Sequence, residues 1–476
     1  MADYEILRRT ADLAIGFLEG LPQRHVGATA DLATLRSTLG MELAEDGVDA
    51  ERVIDDLARD ADPGIVAMAG PRYFGFVIGG SLPVTVAADW LTSAWDQNAG
   101  LYVSAPAHSV VEETAARWLL DLFGLPPSAS VGLTTGCQMA HFTALAAARR
   151  AVLLRHGWDV DADGLHGAPD VHVVAGEEVH VTMPIALQML GLGAGRLLRV
   201  ATDGQGRMRP DALREVLAGL RGPTIVCAQV GNVNTGAIDP VDEIADVVRE
   251  REGAWLHVDG AFGLWAAASP KLRHLVRGVE RADSWAADSH KWLNVPYDSG
   301  IAMIADPAAH RGAMMLSASY LVPAAGDERI PYEWVPEFSR RGRGFTVYAA
   351  LRALGRAGVA AQIERGCALA ARMAERLGGQ PDVEILNEVV LNQVLVRFGD
   401  DDGVTRDTVA RVQADGTCWL SGTVWRERAA MRISVSNWST TEEDIDRSAD
   451  AILAAAREAE SAAAAVPAAA VLPGRL

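Results

Sequence analysis

Lysine is almost missing from this sequence. The 476 residues include 43 basic ones, and only Lys271 and Lys291 among them are lysines. Lys291 lies in "DSWAADSHKWLNVP" (283–296), where most of the other residues are small or apolar. A buried lysine loses its proton more readily than a solvated surface amine and then becomes a nucleophile. We therefore predict that Lys291 is uncharged when free and has a chemical role.

Cysteine is also scarce. Cys137, Cys227, Cys367 and Cys418 are far apart and form no CxxC pair. This pattern excludes a disulfide framework and the usual spacing of zinc ligands. We expect a chain with reduced cysteines, no metal site and a cytoplasmic location.

Long apolar runs and an excess of positive charge are absent as well. The sequence has no stretch of about 18 apolar residues without charges, so no membrane span is predicted. The start of the chain carries acids where a signal peptide would carry basic residues. Because 62 acidic residues outnumber 43 basic ones, the net charge is −19, which disfavours contact with nucleic acid. We expect a soluble protein that binds neither membranes nor nucleic acid.

Short apolar runs alternate with helical patterns through the middle of the chain. The runs cover 130–135, 170–176, 195–200, 223–230, 254–259 and 300–306. Helical patterns such as 138–155 and 241–251 lie between most of them. Strands that are apolar on both faces and alternate with helices predict an α/β fold with a mostly parallel sheet, covered on both sides.

The two ends of the chain have a different character. The first 60 residues predict amphipathic helices, whereas a long helix pair, two strand candidates and a final helix from 346 onwards predict a smaller α+β domain. The low-complexity tail is expected to be disordered. We divide the chain into an N-terminal helical segment, a large domain, a small C-terminal domain and a tail, at 1–70, 71–345, 346–460 and 461–476.

The residues that follow the predicted strands are the candidate site, since ligands of open α/β sheets bind beyond the carboxyl ends of the strands. In "TTGCQMAH" (134–141) a helix start with Thr134 and Thr135 suits a phosphate, although many such turns serve geometry alone. Asp259 ends a strand, where it is either a turn residue or a carboxylate that keeps a heteroaromatic nitrogen protonated. A phosphate turn, Asp259 and Lys291 in this order match the parts of a pyridoxal phosphate (PLP) site.

The segments "HVDGAFG" (257–263) and "DSHKW" (288–292) resemble the PLP-dependent decarboxylases of group II, which include aromatic-amino-acid, glutamate and histidine decarboxylases. The resemblance covers roughly residues 70–450. It implies the aspartate-aminotransferase-like fold, PLP fold type I. It further implies decarboxylation of an L-amino acid to an amine and carbon dioxide through a Lys291 Schiff base. The expected partner is a second copy of the chain in a homodimer, with the N-terminal helices around that copy.

The resemblance also implies a role for each matching residue. Lys291 would carry the cofactor, Asp259 would pair with its ring nitrogen, His180 would stack on the ring and Tyr320 would protonate the substrate carbon. The implied cofactor-binding residues are Thr135, Gly136, Cys137, Gln138, His180, Asn232, Asp259, Ala261, Ser284, His290 and Lys291. Within this set Ala261 packs under the ring, while His290 and Ser284 join Cys137 and Gln138 around the phosphate.

Two segments depart from the family pattern. The phosphate turn reads Cys137-Gln138-Met139 in place of small and hydroxyl residues, which shifts phosphate binding to backbone amides and the Gln138 side chain. Asn232 and Val233 replace a pair of threonines found in many members. Neither change removes Lys291, but both weaken any inference about the substrate.

Three alternatives remain beside simple decarboxylation. Related enzymes oxidise the decarboxylated substrate to an aldehyde, and the presence of Tyr320 favours the non-oxidative reaction. A nicotinamide dehydrogenase is disfavoured because "GLGAGR" (191–196) precedes its strand instead of following one. A catalytically silent member of the fold is disfavoured by Lys291, Asp259 and His180.

The substrate itself is not named by the sequence. The segment "YFGFVIGG" (73–80) matches the family's side-chain pocket, but its mixed character selects neither aromatic nor acidic side chains. Arg432 is a candidate for binding the substrate carboxylate, because fold relatives use an arginine in this region.

Overall fold

The fold is described from a computed structural model, which covers residues 4–315, 326 and 328–465. The chain forms two compact units. One consists of residues 79–368 and 387–393, and the other of residues 1–78, 369–386 and 394–476. The sequence-based boundaries at residues 70, 345 and 460 divide the chain into domains, and these boundaries stay a prediction.

The larger unit contains a seven-stranded sheet with the order β1-β7-β6-β5-β4-β2-β3. The antiparallel strand β7 pairs with β1 and β6, and all other pairs are parallel, so the prediction of a mostly parallel sheet is confirmed. The strands are β1 (Ser130–Thr134), β2 (His172–Gly176), β3 (Leu198–Val200), β4 (Thr224–Gln229), β5 (Trp255–Asp259), β6 (Ser284–Asp288) and β7 (Gly300–Ile304).

Helices cover this sheet, as buried parallel strands require. Ala140, Ala144, Ala147 and Ala148 in α6 have no exposed surface, and these small side chains let the helix lie close to the strands. The helices of this unit are α4 (Pro83–Trp95), α5 (Pro106–Phe123), α6 (Cys137–Leu154), α7 (Val160–Asp163), α8 (Thr182–Met189), α9 (Pro210–Ala218), α10 (Val241–Arg249), α11 (Ser289–Trp292) and α12 (Pro307–Met314).

The predicted helix pair after residue 346 is confirmed as α13 (Gly344–Gly378), which breaks at Gly355. Gly355 has a φ of 60°, a left-handed conformation that glycine adopts without strain. The chain thus changes direction at Gly355, which lies between the two apolar patterns that predict the helix pair.

The smaller unit has a four-stranded sheet in the order β10-β11-β9-β8. The predicted strands β9 (Gln393–Phe398) and β11 (Arg428–Ser434) are present, whereas β8 (Val383–Ile385), β10 (Ser421–Trp425) and α14 (Asp402–Asp415) were not predicted. The final helix α15 (Glu442–Ala465) runs past its predicted end and into the predicted tail, whose remaining residues lie outside the described part.

The N-terminal helices of this unit are α1 (Glu5–Gly20), α2 (Leu32–Leu39) and α3 (Ala50–Ala61), where the sequence predicts helices. None of the three contains a buried residue. Across the described part of the chain, no helix combines the length and the hydropathy needed to span a membrane.

Candidate active site

Strands β1 and β6 end on either side of β7 at the carboxyl edge of the large sheet. Thr134 at the end of β1 and Asp288 at the end of β6 both pair with Gly300 of β7. A Cβ atom on Gly300 would lie 2.4 Å from the carbonyl carbon of Gly136, so only glycine fits there. The turns that follow β1 and β6 therefore lie against each other.

The turn after β1 carries the residues predicted to bind phosphate. Cys137 begins α6, and its backbone N–H donates to Asp288 Oδ1 over 2.6 Å. A Cβ atom at Gly136 would lie 3.3 Å from the His290 ring, and Thr135 is half-buried beside it. The predicted turn and the predicted histidine are thus adjacent.

Two predicted phosphate ligands have other partners. The Gln138 side chain extends to the sulfur of Met189, 4.0 Å away. Ser284 begins β6, four residues or about 13 Å from the edge at which β6 ends. Its Oγ accepts from Trp255 Nε1 and bonds to His257 Nδ1, each at 2.8 Å. The structure does not bring Ser284 to the phosphate turn, and its predicted role has no support there.

Asp288 is the centre of a charged cluster in the turn after β6. Its Oδ2 lies 3.0 Å from Lys291 Nζ and its Oδ1 lies 3.5 Å from His290 Nε2. His290 Nδ1 accepts from the Ser299 N–H over 3.2 Å, and the Tyr297 ring stacks on the imidazole at 4.3 Å. These contacts fix the ring of His290 with Nε2 towards the phosphate turn.

The expectation that free Lys291 is uncharged is wrong. Burial is the largest single influence and disfavours its ammonium form, but the attractions of Asp288, Cys137 and Asp259 together outweigh burial and raise the pKa of Lys291 above its usual value. Without a bound partner, the amine is therefore held as an ammonium by its carboxylate neighbour.

Asp259 ends β5 next to this cluster. Its Oδ1 accepts from the Ala261 N–H over 3.1 Å, and its Oδ2 lies 3.4 Å from His141 Nε2. Burial alone would raise the pKa of Asp259, but the attraction of His141, with a smaller contribution from His180, lowers it below its usual range. The Ala261 carbonyl accepts from the Asp288 N–H over 2.9 Å, which ties the Asp259 turn to the lysine cluster.

His180 and Asn232 lie on the turns after β2 and β4. His180 is half-buried, with Nδ1 2.9 Å from Thr182 Oγ1. The Asn232 Nδ2 donates to the Glu178 carbonyl over 3.3 Å, while its Oδ1 accepts backbone N–H groups of its own turn. Asn232 therefore braces the segment that carries His180.

Two further candidates cannot be placed beside these groups. Tyr320 lies outside the described residues. Arg432 lies in β11 of the smaller unit, where burial lowers its pKa.

Sequence reasoning missed Asp288, His141 and two buried serines. Ser289 Oγ and Ser299 Oγ lack a hydrogen-bond partner within the described part, although both side chains are enclosed. Asp288 could have been found from its position three residues before Lys291, the spacing at which helical side chains meet. His141 stands four residues after Cys137, which is the same kind of signal.

The residues at this edge fit PLP. The cofactor needs an amine for its aldehyde, an acceptor for its protonated ring nitrogen and donors for its phosphate. Lys291, the ionised Asp259 and the start of α6 supply these in one place, and the unpartnered hydroxyls of Ser289 and Ser299 add donors. Fold and chemistry together define a PLP enzyme with the aspartate-aminotransferase-like fold.

Comparison with known proteins narrows this class. Residues 33–398 match the family model of the pyridoxal-dependent decarboxylase conserved domain. The chain belongs to the pyridoxal-dependent decarboxylase family.

Its relatives are similar over most of their length. The chain is 28% identical to an aromatic-L-amino-acid decarboxylase of Bacillus atrophaeus over 92% of both chains. It is 29% identical to tryptophan decarboxylase 1 of Oryza sativa subsp. japonica, over 83% of this chain and 82% of the relative. A crystal structure of Oryza sativa TDC with PLP and tryptamine superposes with a TM-score of 0.88 at 25% identity, covering 95% of this chain and 97% of the other. The protein is thus a PLP-dependent carboxy-lyase that decarboxylates an amino acid, as the sequence predicts.

Proposed function

We propose that this enzyme converts an L-amino acid to the corresponding amine, with Lys291 as the residue that holds the cofactor. The observation that carries the proposal is the position of Lys291 Nζ at the carboxyl edge of the sheet, 3.0 Å from Asp288. Of the two lysines in the chain, Lys291 is much the more buried, since its side chain is 19% exposed and that of Lys271 is 78% exposed.

We assign roles to the surrounding residues from the family resemblance, supported by their contacts. When bound, PLP supplies an electron-accepting ring that stabilises the negative charge left as carbon dioxide departs. Asp259, held as a carboxylate, would accept a hydrogen bond from the protonated ring nitrogen, while Ala261 and His180 would flank the ring. Since Asp259 is fixed by the Ala261 N–H and by His141, it needs no rearrangement to do so.

Phosphate binding has to accommodate Asp288. This carboxylate already accepts the Cys137 N–H at the start of α6, and a second anion on the same group would be repelled. The first turn of a helix has four N–H groups without a partner inside the helix, so the others can hold a phosphate. His290 Nε2 and the hydroxyls of Ser289 and Ser299 add to them.

Replacing Asp288 should make Lys291 a better nucleophile. In Asp288→Asn the Lys291 pKa falls because its main stabilising charge is gone, and each unit of decrease raises the fraction of free amine about tenfold. The apoenzyme should therefore capture PLP faster at neutral pH, and the pH profile of the capture rate should move to lower pH in stopped-flow absorbance. Asp298→Asn removes a charge that pairs with Arg343 and serves as the control. An unshifted profile in Asp288→Asn would show that Asp288 does not set the charge of Lys291.

We assign the final proton transfer to Tyr320 and the overall reaction to the non-oxidative branch. A panel of aromatic, acidic and imidazole amino acids should yield carbon dioxide and amine in equal amounts, with neither aldehyde nor hydrogen peroxide. Tyr320→Phe should lower amine formation at least about tenfold and divert part of the product to aldehyde, since the phenol would no longer protonate the carbon. Aldehyde and peroxide as the main products of the wild-type enzyme would overturn this assignment.

We also propose a homodimer in which the N-terminal helices cover a second copy. Leu7, Leu13 and Ile15 of α1 and Leu57 of α3 are each more than a third exposed, which is costly for large apolar side chains in contact with water. Light scattering should give about twice the chain mass of 50.5 kDa. Leu13→Glu with Leu57→Glu should shift this mass towards the monomer, whereas Glu45→Gln on the exposed segment between α2 and α3 should not. A wild-type monomer at micromolar concentration would refute the dimer.

A further inference from the structure

A row of polar side chains in contact leads from Asp259 into the protein interior, and the first of them, His141, also lies against the Cys137 sulfur, 3.5 Å from its Nε2. His141 Nε2 lies 3.4 Å from Asp259 Oδ2, and His141 Nδ1 lies 2.9 Å from His257 Nε2. His257 Nδ1 lies 2.8 Å from Ser284 Oγ, which also accepts from Trp255 Nε1 over 2.8 Å. Three side chains thus connect the carboxylate at the site with an indole at the far end of β5.

This row lies in a part of the core that is otherwise apolar. His141, His257 and Ser284 have no exposed surface. Around them are Ala144, Ala286 and other apolar residues of the layer between α6 and the sheet. Buried polar groups add little to stability beyond what apolar groups of the same shape would give, so stability alone does not account for two imidazoles here.

The chemistry of the two ends fixes the direction of the outer two contacts of the row. The Trp255 indole can only donate, and the Asp259 carboxylate can only accept. Burial, and to a lesser degree His141, lowers the pKa of His257 to about 3, so this ring is neutral and has a single N–H. His141 Nε2 is therefore the donor towards Asp259, the Trp255 indole donates to Ser284 Oγ, and the contacts of Ser284 with His257 and of His257 with His141 join these two ends.

We propose that His141 is a positioning residue, which His257 and Ser284 hold as a donor to Asp259 so that the carboxylate stays ionised and aimed at the cofactor's ring nitrogen. This proposal rests on the role of Asp259 proposed above. His141 contacts Asp259 Oδ2 from the protein interior, while the Ala261 N–H donates a hydrogen bond to Asp259 Oδ1. The carboxylate therefore keeps both its charge and its orientation when the ring arrives.

The test compares two ligands that differ only at the ring nitrogen. Dissociation constants of the apoenzyme are measured for PLP and for its analogue with CH in place of the ring nitrogen, with a chelator present because Cys137, His141 and Asp259 are spaced closely enough to bind a metal ion. His141→Leu removes the donor, and we expect the dissociation constant for PLP to rise about tenfold, the loss of one hydrogen bond to a charged group. The value for the analogue should stay unchanged.

Two further variants keep the test informative if His141→Leu folds poorly. His141→Gln places an amide N–H where Nε2 stands, so it should retain most of the preference for PLP. Ser284→Ala removes a side chain at the far end of the row. It should raise the dissociation constant for PLP about twofold to threefold and leave the dissociation constant for the analogue unchanged.

The two ways of failing give different results. An equal loss of affinity for PLP and for the analogue in His141→Leu would mean that His141 only packs the core, which overturns the proposal. A wild-type apoenzyme that binds both ligands equally well would instead show that Asp259 does not contact the ring nitrogen, and the proposed role of Asp259 would then be wrong.

Discussion

Lys291→Ala should abolish the visible absorbance of lysine-bound pyridoxal and lower the rate of decarboxylation by at least about a thousandfold. Loss of a covalent catalyst has effects of this order or larger, because no neighbouring group replaces the amine. Among the described residues, the groups that act on the Lys291 amine are two carboxylates and the Cys137 thiol, none of which can form the same bond to the cofactor's aldehyde. Absorbance and amine release of the purified protein are the measurements.

The matched control is Lys271→Ala, which removes the only other lysine. Lys271 is solvent-exposed and pairs with Glu364 at 2.7 Å, so its loss should leave the cofactor band and the rate unchanged. A Lys291→Ala protein that keeps both would disprove the proposed attachment. A loss of the band in Lys271→Ala would do the same.

Glu112→Gln should lower the free energy of unfolding by about 3–5 kcal/mol, the cost of breaking a buried ion pair from one side. The Glu112 carboxylate is fully enclosed. Its Oε1 accepts from Arg329 Nη2 over 2.8 Å and its Oε2 accepts from Arg340 Nη2 over 2.7 Å. A neutral amide would leave two guanidinium groups without their counter-charge inside the large unit. The midpoint of urea unfolding at pH 7 measures the effect.

The effect of Glu112→Gln on the free energy of unfolding should be smaller at acidic pH. Burial would raise the pKa of Glu112, but the attraction of Arg340 and Arg329 outweighs it and lowers the pKa to about 2. A carboxyl whose folded pKa lies below the unfolded value stabilises the fold above the unfolded pKa, and this contribution is lost as the pH falls towards the folded pKa. The difference between wild type and Glu112→Gln should therefore narrow as the pH falls from 4.5 towards 2. Asp121→Asn, in an exposed pair with Arg356, should leave the urea midpoint unchanged at either pH. If Glu112→Gln behaves like Asp121→Asn, the cluster does not stabilise the fold.

The large sheet could be predicted from the sequence because its strands have a strong and local signal. Runs such as 224–229 are buried at every position, and this continuous burial is visible as continuous apolar sequence. The strand β8, by contrast, has three residues that are half-buried or exposed, and its pairing with β9 depends on contacts distant in sequence. Its pattern alone does not differ from that of a loop.

In the site, too, features set by neighbouring residues in the sequence could be predicted, and features set by contacts between distant residues could not. The turns after β1, β5 and β6 could be identified because each follows an apolar run directly. The charge of Lys291 could not, since burial and the Asp288 carboxylate act in opposite directions and only their distances decide the outcome. The role of Ser284 is implied by the family resemblance alone, and the sequence does not show that Ser284 begins β6, at the opposite end of the strand from the turn that carries Lys291.

Because the two lysines have different surroundings, their side-chain nitrogens can be told apart by nuclear magnetic resonance without any substitution. Protein grown with isotope-labelled lysine would give two side-chain signals, one from the exposed ammonium at Lys271 and one from the enclosed nitrogen at Lys291. The first would serve as an internal reference at every pH, while the second would report cofactor attachment and the charge of its nitrogen directly. No lysine has to be removed to resolve the two.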